Sequence, residues 1–181
     1  MEPLVFRRYR KKLASQSKGR VLEVGIGTGR NLPFYPAACE ITGVDISEKM
    51  VEEGRIFALN LGIAINLLVM DVENLGFNDN TFDTVLCTLS LCTVPNPIRA
   101  LSEMKRVCKS EGRILLLEHV RSYNSFLSKV QDWLTPLNIR KIGCHLNRDT
   151  LENAKKAGLN VGYVEKHLVG TIYIIHATCA K

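Results

Sequence analysis

One short segment limits the fold more than any other: Glu23-Val24-Gly25-Ile26-Gly27-Thr28-Gly29, at the end of the apolar β-type run RVLEVG (20–25). Glycine at alternate positions lets the backbone turn tightly and approach a ligand with no Cβ atoms in the way. A second apolar run, EITGVD (40–45), ends in Asp45. A glycine-rich turn after a first strand, with an acid closing the next, is how a doubly wound sheet meets a nucleotide-type ligand, the carboxylate accepting ribose hydroxyls. A dinucleotide fingerprint, G-x-G-x-x-G, would need glycine where Arg30 stands, so the spacing argues against NAD.

The remaining chain continues a β-α-β rhythm. SEKMVEEGRIFALNLG (47–62) reads as a helix with an N-cap serine, INLLVMD (65–71) as a third strand and FDTVLCTL (82–89) as a fourth. NPIRALSEMKRVCKSEG (96–112) predicts a helix from Pro97 to Gly112, and RILLLEHV (113–120) a fifth strand. Continuous apolar strands alternating with amphipathic helices imply a mostly parallel sheet covered on both faces, the doubly wound α/β class. The C-terminal part departs from the rhythm: one or two helices over 123–143, another over 148–159, then two strands only a few residues apart. A parallel return needs about a dozen residues, so this last pair must be antiparallel. The expected organisation is a single domain over 1–181. It comprises a basic N-terminal helix (1–18), a cofactor-binding half (19–120) and substrate-side helices with the terminal strand pair (121–181).

The net charge of +6 is unevenly placed. Residues 1–20 hold seven Lys or Arg against Glu2, which is +6; the other 161 residues hold 17 basic and 17 acidic side chains. Phe6, Tyr9 and Leu13 share one helical face. That face reads either as docking a solvated helix on the body or as part of an amphipathic element drawn to lipid headgroups or an anionic substrate. No aromatic-interleaved basic patch recurs later, which argues against nucleic acid as a partner. The six cysteines are scattered singly, with no CxxC pair and no zinc-type spacing, so reduced thiols and no metal site are expected. No apolar run approaches a membrane span and no secretory signal pattern opens the chain, so a cytoplasmic location is expected.

With these motifs in place, the chain resembles the class I S-adenosylmethionine-dependent methyltransferases. VLEVGIGTGRN is similar to their first motif, VDISEKM to the second and MDVENLGF to the third. FDTVLCTLSLCTV and RVCKSEGRILLLEHV are similar to the fourth and fifth. GTGRNLPFYP, CTLSLCTV, EHV and GCHLNRDTLENA further resemble the alkyl-thiol methyltransferase-like branch, within a group that includes quinone and phospholipid methyltransferases. The hydrophobic N-terminal anchor of the animal members is not matched, so their membrane location is not carried over. Ile26 stands where many relatives have cysteine or alanine. The resemblance implies a Rossmann-like, seven-stranded sheet of order 3-2-1-4-5-7-6 with strand 7 antiparallel.

It also implies S-adenosylmethionine as cofactor, S-adenosylhomocysteine as product, and roles for particular residues. Gly25, Gly27 and Gly29 would pass the cofactor's methionine part, with Glu23 orienting that loop through hydrogen bonds and Asn31 counted among the cofactor-binding residues. Asp45 would hold the ribose, with Ile46 beside it and Met50 on the adenine. Asp71 and Val72 would meet the adenine edge, and Glu73 is counted among the cofactor-binding residues. The bland alternatives are a turn cap for Asp71 and ordinary core for Met50.

CTLSLC (87–92) would lie at the end of strand four, beside the transferred methyl, with Cys87, Leu89 and Leu91 on one face. Thr88, Leu89 and Cys92 then become wall candidates. Methyl transfer from a sulfonium is an in-line displacement, so a base is needed only where the acceptor must lose a proton. His119 and His145 are the candidates, with Glu118 and Asp132 as further possibilities, against a bland reading of His119 as a backbone-bonded polar group. Trp133, Phe126, Leu127 and Leu134 either line an acceptor pocket or cover the sheet edge. The expected reaction is methylation of a small, fairly apolar acceptor, a thiol first, with phospholipid N-methylation and a non-catalytic cofactor-binding protein as alternatives. The expected state is monomer or homodimer.

Overall fold

The structure is a computed structural model and describes residues 3–179. Its elements are α1 (Leu4–Ala14), β1 (Arg20–Val24), β2 (Glu40–Asp45), α2 (Glu48–Leu61), β3 (Asn66–Val69) and β4 (Phe82–Thr88). Then follow α3 (Pro97–Val107), β5 (Cys108–His119), α4 (Ser125–Ile142), α5 (Thr150–Lys156), β6 (Asn160–His167) and β7 (Ile172–Thr178).

The strands form one seven-stranded sheet in the order β3-β2-β1-β4-β5-β7-β6. β1 pairs in parallel with both β2 and β4, while β7 runs antiparallel to both β5 and β6, as the short final connection requires. The order reverses between β1 and β4, so a crevice opens over the C-terminal strand ends at that point, where ligands of doubly wound sheets bind.

Local signals set α2: the Ser47 side chain accepts from the Met50 N–H, and Gly62 ends the helix in the left-handed region. On one sheet face α3 buries Leu101, Met104 and Val107 against Val85, Ile114 and Leu116. On the other, α1 docks through Leu13 and Ala14 onto Leu86, Leu115, Leu117 and Ile174. The Phe6–Tyr9–Leu13 stripe therefore docks α1 on the body, and Lys12 adds an ion pair of 2.6 Å to Glu165 on β6. The exposed side of α1 carries Arg7, Arg8 and Lys11. Among the described residues no helix is long and apolar enough to cross a membrane.

Three expectations need correction. The helix expected to reach Gly112 stops at Val107, because the Arg106 and Val107 carbonyls accept from the Asn80 and Thr81 N–H groups rather than from a further helical turn. The fourth strand ends at Thr88; Leu89 has φ 54°, so the strand alternation that would have aligned Cys87, Leu89 and Leu91 breaks there. The helices expected over 123–143 and 148–159 are present as Ser125–Ile142, a single helix with Pro136 inside it, and Thr150–Lys156. Phe126 and Trp133 are each 73% exposed, so they cover no sheet edge and enclose no pocket.

Candidate cofactor-binding site

Two adjoining clefts share Gly25, Asp45 and Ser90 and together make a trough over the C-terminal ends of β1 to β4. The part toward β3 is a cavity of about 140 Å³ between Asp45, Ile46, Asp71, Val72, Thr93 and Val94. The part toward α1 is lined by Gly27, Met50, Thr88, Leu89 and two arginines, Arg10 and Arg30.

The glycine loop is fixed from both sides. The Gly27 N–H donates to Asp45 Oδ2 at 2.9 Å, and the Ser47 N–H donates to Asp45 Oδ1 at 3.0 Å. An ionised carboxylate offers about four lone-pair directions, so Asp45 keeps two for a ligand. Gly27 has φ +55°, and a Cβ added there meets no atom within 4 Å, which leaves the trough floor open to close backbone approach.

Beneath the floor lies a buried polar network. Tyr35 donates its hydroxyl to Glu23 Oε2 at 2.6 Å, and Asn31 Nδ2 donates to Glu23 Oε1 at 2.7 Å and to Thr88 Oγ1 at 2.9 Å. Arg10, only 8% exposed, donates to Asn31 Oδ1 at 3.2 Å and also to Thr88 Oγ1. Burial pushes the Glu23 carboxyl up to about 7, against the hydrogen bonds from Tyr35 and Asn31 and the charge of Arg10. Arg10 is the functional candidate that the sequence reading misses: it sits among cations whose neighbours are solvated, and only the inward turn of α1 separates it from them.

The remaining candidates divide by position. Gly25, Gly27, Asp45, Ile46, Met50, Asp71, Val72, Thr88 and Leu89 line the trough. Glu23, Gly29 and Asn31 are buried beneath or beside it. The Glu73 carboxylate instead accepts from the Asn96 N–H at 2.7 Å, bracing the start of α3. Neither histidine lines the trough. His119 turns its Nε2 to Cys144 Sγ at 2.9 Å, and burial lowers its pKa. His145 donates its backbone N–H to the Cys92 carbonyl, and burial together with Arg148 lowers its pKa as well. Cys92 is buried on the far side of the turn, with His119 and Cys144.

A doubly wound sheet with an antiparallel seventh strand, a glycine turn and an acid sharing one trough defines the class I methyltransferase fold. Residues 22–116 match the family described as methyltransferase domain. The chain belongs to that family: it is a class I S-adenosylmethionine-dependent methyltransferase domain.

A phosphatidylethanolamine N-methyltransferase of Cereibacter sphaeroides is 42% identical over 103 residues, 56% of this chain and 51% of that protein. The thiol S-methyltransferase TMT1B of Rattus norvegicus is 32% identical over 142 residues, 76% of this chain and 58% of that protein. The chain thus spans little more than half the length of these relatives. A solved geranyl diphosphate methyltransferase in complex with SAM superposes with a TM-score of 0.77 at 16% identity, covering 96% of this chain and 84% of that one. At that identity the likeness shows the fold alone.

S-adenosylmethionine fits the residues present. Gly25 and Gly27 allow backbone approach, Asp45 retains acceptor capacity for hydroxyls, and Ile46, Met50 and Val72 give apolar walls for a flat ring.

Proposed function

We propose that this chain moves the methyl group of S-adenosylmethionine to a small, apolar acceptor, with a thiol sulfur the favoured atom. When bound, the cofactor supplies a methyl group on a sulfonium that already carries the activating charge. The chain's own task is to bind, align and keep water out. Asp45 would hold the ribose, Met50, Ile46 and Val72 the adenine, and the Gly25 and Gly27 backbone the amino-acid part. Arg10, held against Thr88 and Asn31, would offer its guanidinium to the cofactor's carboxylate, which suits its planar donors.

The observation that carries the acceptor class is the composition of the trough wall: among the described residues that line it there is no histidine, lysine or cysteine. A hydroxyl acceptor would need a base within reach. A thiol, with an ordinary pKa of about 8.5, is ionised to a few per cent near neutral pH without help. The similarity to TMT1B supports the same reading. A second reading, transfer to a phospholipid amine, is favoured by Arg7, Arg8 and Lys11 on the exposed side of α1, a surface suited to anionic headgroups, and by the first relative.

The test is transfer of labelled methyl to a panel of alkyl and aryl thiols, phenols, amines and phosphatidylethanolamine vesicles, with cofactor binding measured in parallel. Thiol products confirm the first reading and methylated phosphatidylethanolamine the second. Binding without any transfer would replace both with a cofactor-binding regulatory protein. No thermal shift with S-adenosylmethionine or S-adenosylhomocysteine would refute the cofactor assignment for this chain.

A further inference from the structure

Three soft-ligand side chains from distant parts of the sequence converge outside the trough. Cys92 lies in the turn after β4, His119 closes β5, and Cys144 follows the left-handed Gly143 that ends α4. The two sulfurs and one imidazole nitrogen all lie within 4.8 Å of one another. Cys92 is 4% and Cys144 7% exposed, while His119 is only partly buried, which leaves a way in.

The backbone holds this arrangement before any ligand arrives. The His145 N–H donates to the Cys92 carbonyl at 2.9 Å, and Asn138 Nδ2 donates to the Cys144 carbonyl at 3.2 Å. His119 is fixed by its pairing with Ile172 on β7. Ordinary buried cysteines pack against apolar groups. Here one thiol instead meets an imidazole nitrogen at 2.9 Å.

From this geometry we propose that Cys92, His119 and Cys144 form a binding site for one thiolate-seeking dication, zinc foremost. Tetrahedral zinc with bonds of about 2.3 Å to sulfur and 2.0 Å to nitrogen places its ligand atoms about 3.6–3.8 Å apart. The His119 Nε2 to Cys144 Sγ distance of 2.9 Å would have to open by less than about 1 Å, and every pair already lies within 4.8 Å. Two thiolates and a neutral imidazole cancel the charge of a dication, leaving the buried site neutral.

Glu118 is fully buried; its Oε1 accepts from Cys87 Sγ and from the Ser90 and Leu91 N–H groups, and its Oε2 is without a partner. Arg148 is close enough to Cys92 and Cys144 for its charge to favour their thiolates. With three protein ligands the fourth position goes to solvent, the arrangement of an open rather than a closed zinc site. The ion would clamp the turn 89–93 to β5 and to the loop after α4. That turn supplies Leu89, Ser90 and Thr93 to the trough, so metal and cofactor binding are coupled.

The test uses the full chain purified under reducing, chelator-free conditions with zinc supplied. Plasma mass spectrometry should find about one zinc per chain. Cys92→Ser, His119→Ala and Cys144→Ser should each lose at least nine-tenths of it, while Cys39→Ser and Cys179→Ser keep it. Cobalt(II) added to the zinc-free wild-type chain should give sulfur-to-cobalt charge-transfer absorption, which does not depend on any variant folding. Wild-type protein that is folded by circular dichroism yet has neither stoichiometric zinc nor that absorption would overturn the proposal. So would a Cys92–Cys144 disulfide as the form isolated without reductant and insensitive to zinc.

Discussion

Substituting alanine at Gly25 and at Gly27 should separate two jobs that the glycine loop performs. Gly25 has φ +65°, a left-handed conformation that costs an alanine about 1–2 kcal/mol. Its added Cβ would also stand 1.9 Å from Ser90 Oγ and 2.5 Å from Ser90 Cβ. Rotating the serine side chain moves Oγ away but leaves its Cβ in place. The turn cannot retreat freely either, because the Ser90 N–H is held by Glu118 Oε1 at 3.0 Å. Crowding of this kind in a packed site costs about 1–3 kcal/mol, so Gly25→Ala should destabilise the chain by about 2–5 kcal/mol in all.

Gly27→Ala carries a similar backbone cost at φ +55° but meets no atom within 4 Å, so its loss should stay near 1–2 kcal/mol. Its methyl would instead enter the trough and weaken the cofactor. Urea unfolding followed by circular dichroism gives the stabilities, and calorimetric titration with S-adenosylhomocysteine gives the affinities. Adding Ser90→Gly to Gly25→Ala should recover the crowding part and leave the backbone part. The reasoning fails if Gly25→Ala lies within about 0.5 kcal/mol of wild type, or if the serine deletion recovers nothing.

Asp45→Ala removes the acceptor for the Gly27 and Ser47 N–H groups as well as the proposed ribose contact. Cofactor affinity should fall at least about tenfold, since a hydrogen bond to a charged group contributes about 1.5–3 kcal/mol; unchanged affinity by titration would refute the assignment. Glu23 has its folded pKa raised to about 7 from an ordinary 4.5, so its stabilising contribution is complete below about 4.5 and lost as pH rises through 7. Glu23→Gln should therefore gain stability relative to wild type between pH 5 and 8, by at most about 3 kcal/mol. Parallel wild-type and variant curves over that range would show that the carboxyl ionises normally.

What the sequence makes legible is whatever short spacing encodes. The glycine turn, the placement of Asp45, the Ser47 cap and the antiparallel final pair each rest on residues close in the chain, and the structure carries all four. The boundary between α3 and β5 depends instead on the distant Asn80 and Thr81, whose N–H groups take the helix's last carbonyls. The strand end at Thr88 depends on the left-handed backbone of Leu89, a conformation no propensity assigns to leucine. Trp133 and Phe126 look like pocket aromatics by composition, and only the orientation of α4 turns them outward.

The same division explains why both of the chain's least expected features are polar groups in its interior. Arg10 and the Cys92–His119–Cys144 cluster are assembled by contacts spanning 21 to 78 residues in one case and 25 in the other. No local pattern announces them. A buried arginine is tolerated because Asn31 and Thr88 accept from it and Glu23 lies within range of its charge. The docking of α1 is what brings the arginine there, driven by Leu13 and Ala14 rather than by charge. A helix that reads as a basic appendage is thereby made part of the lining of the trough, and its apolar stripe sets the position of a cationic group next to the proposed cofactor site.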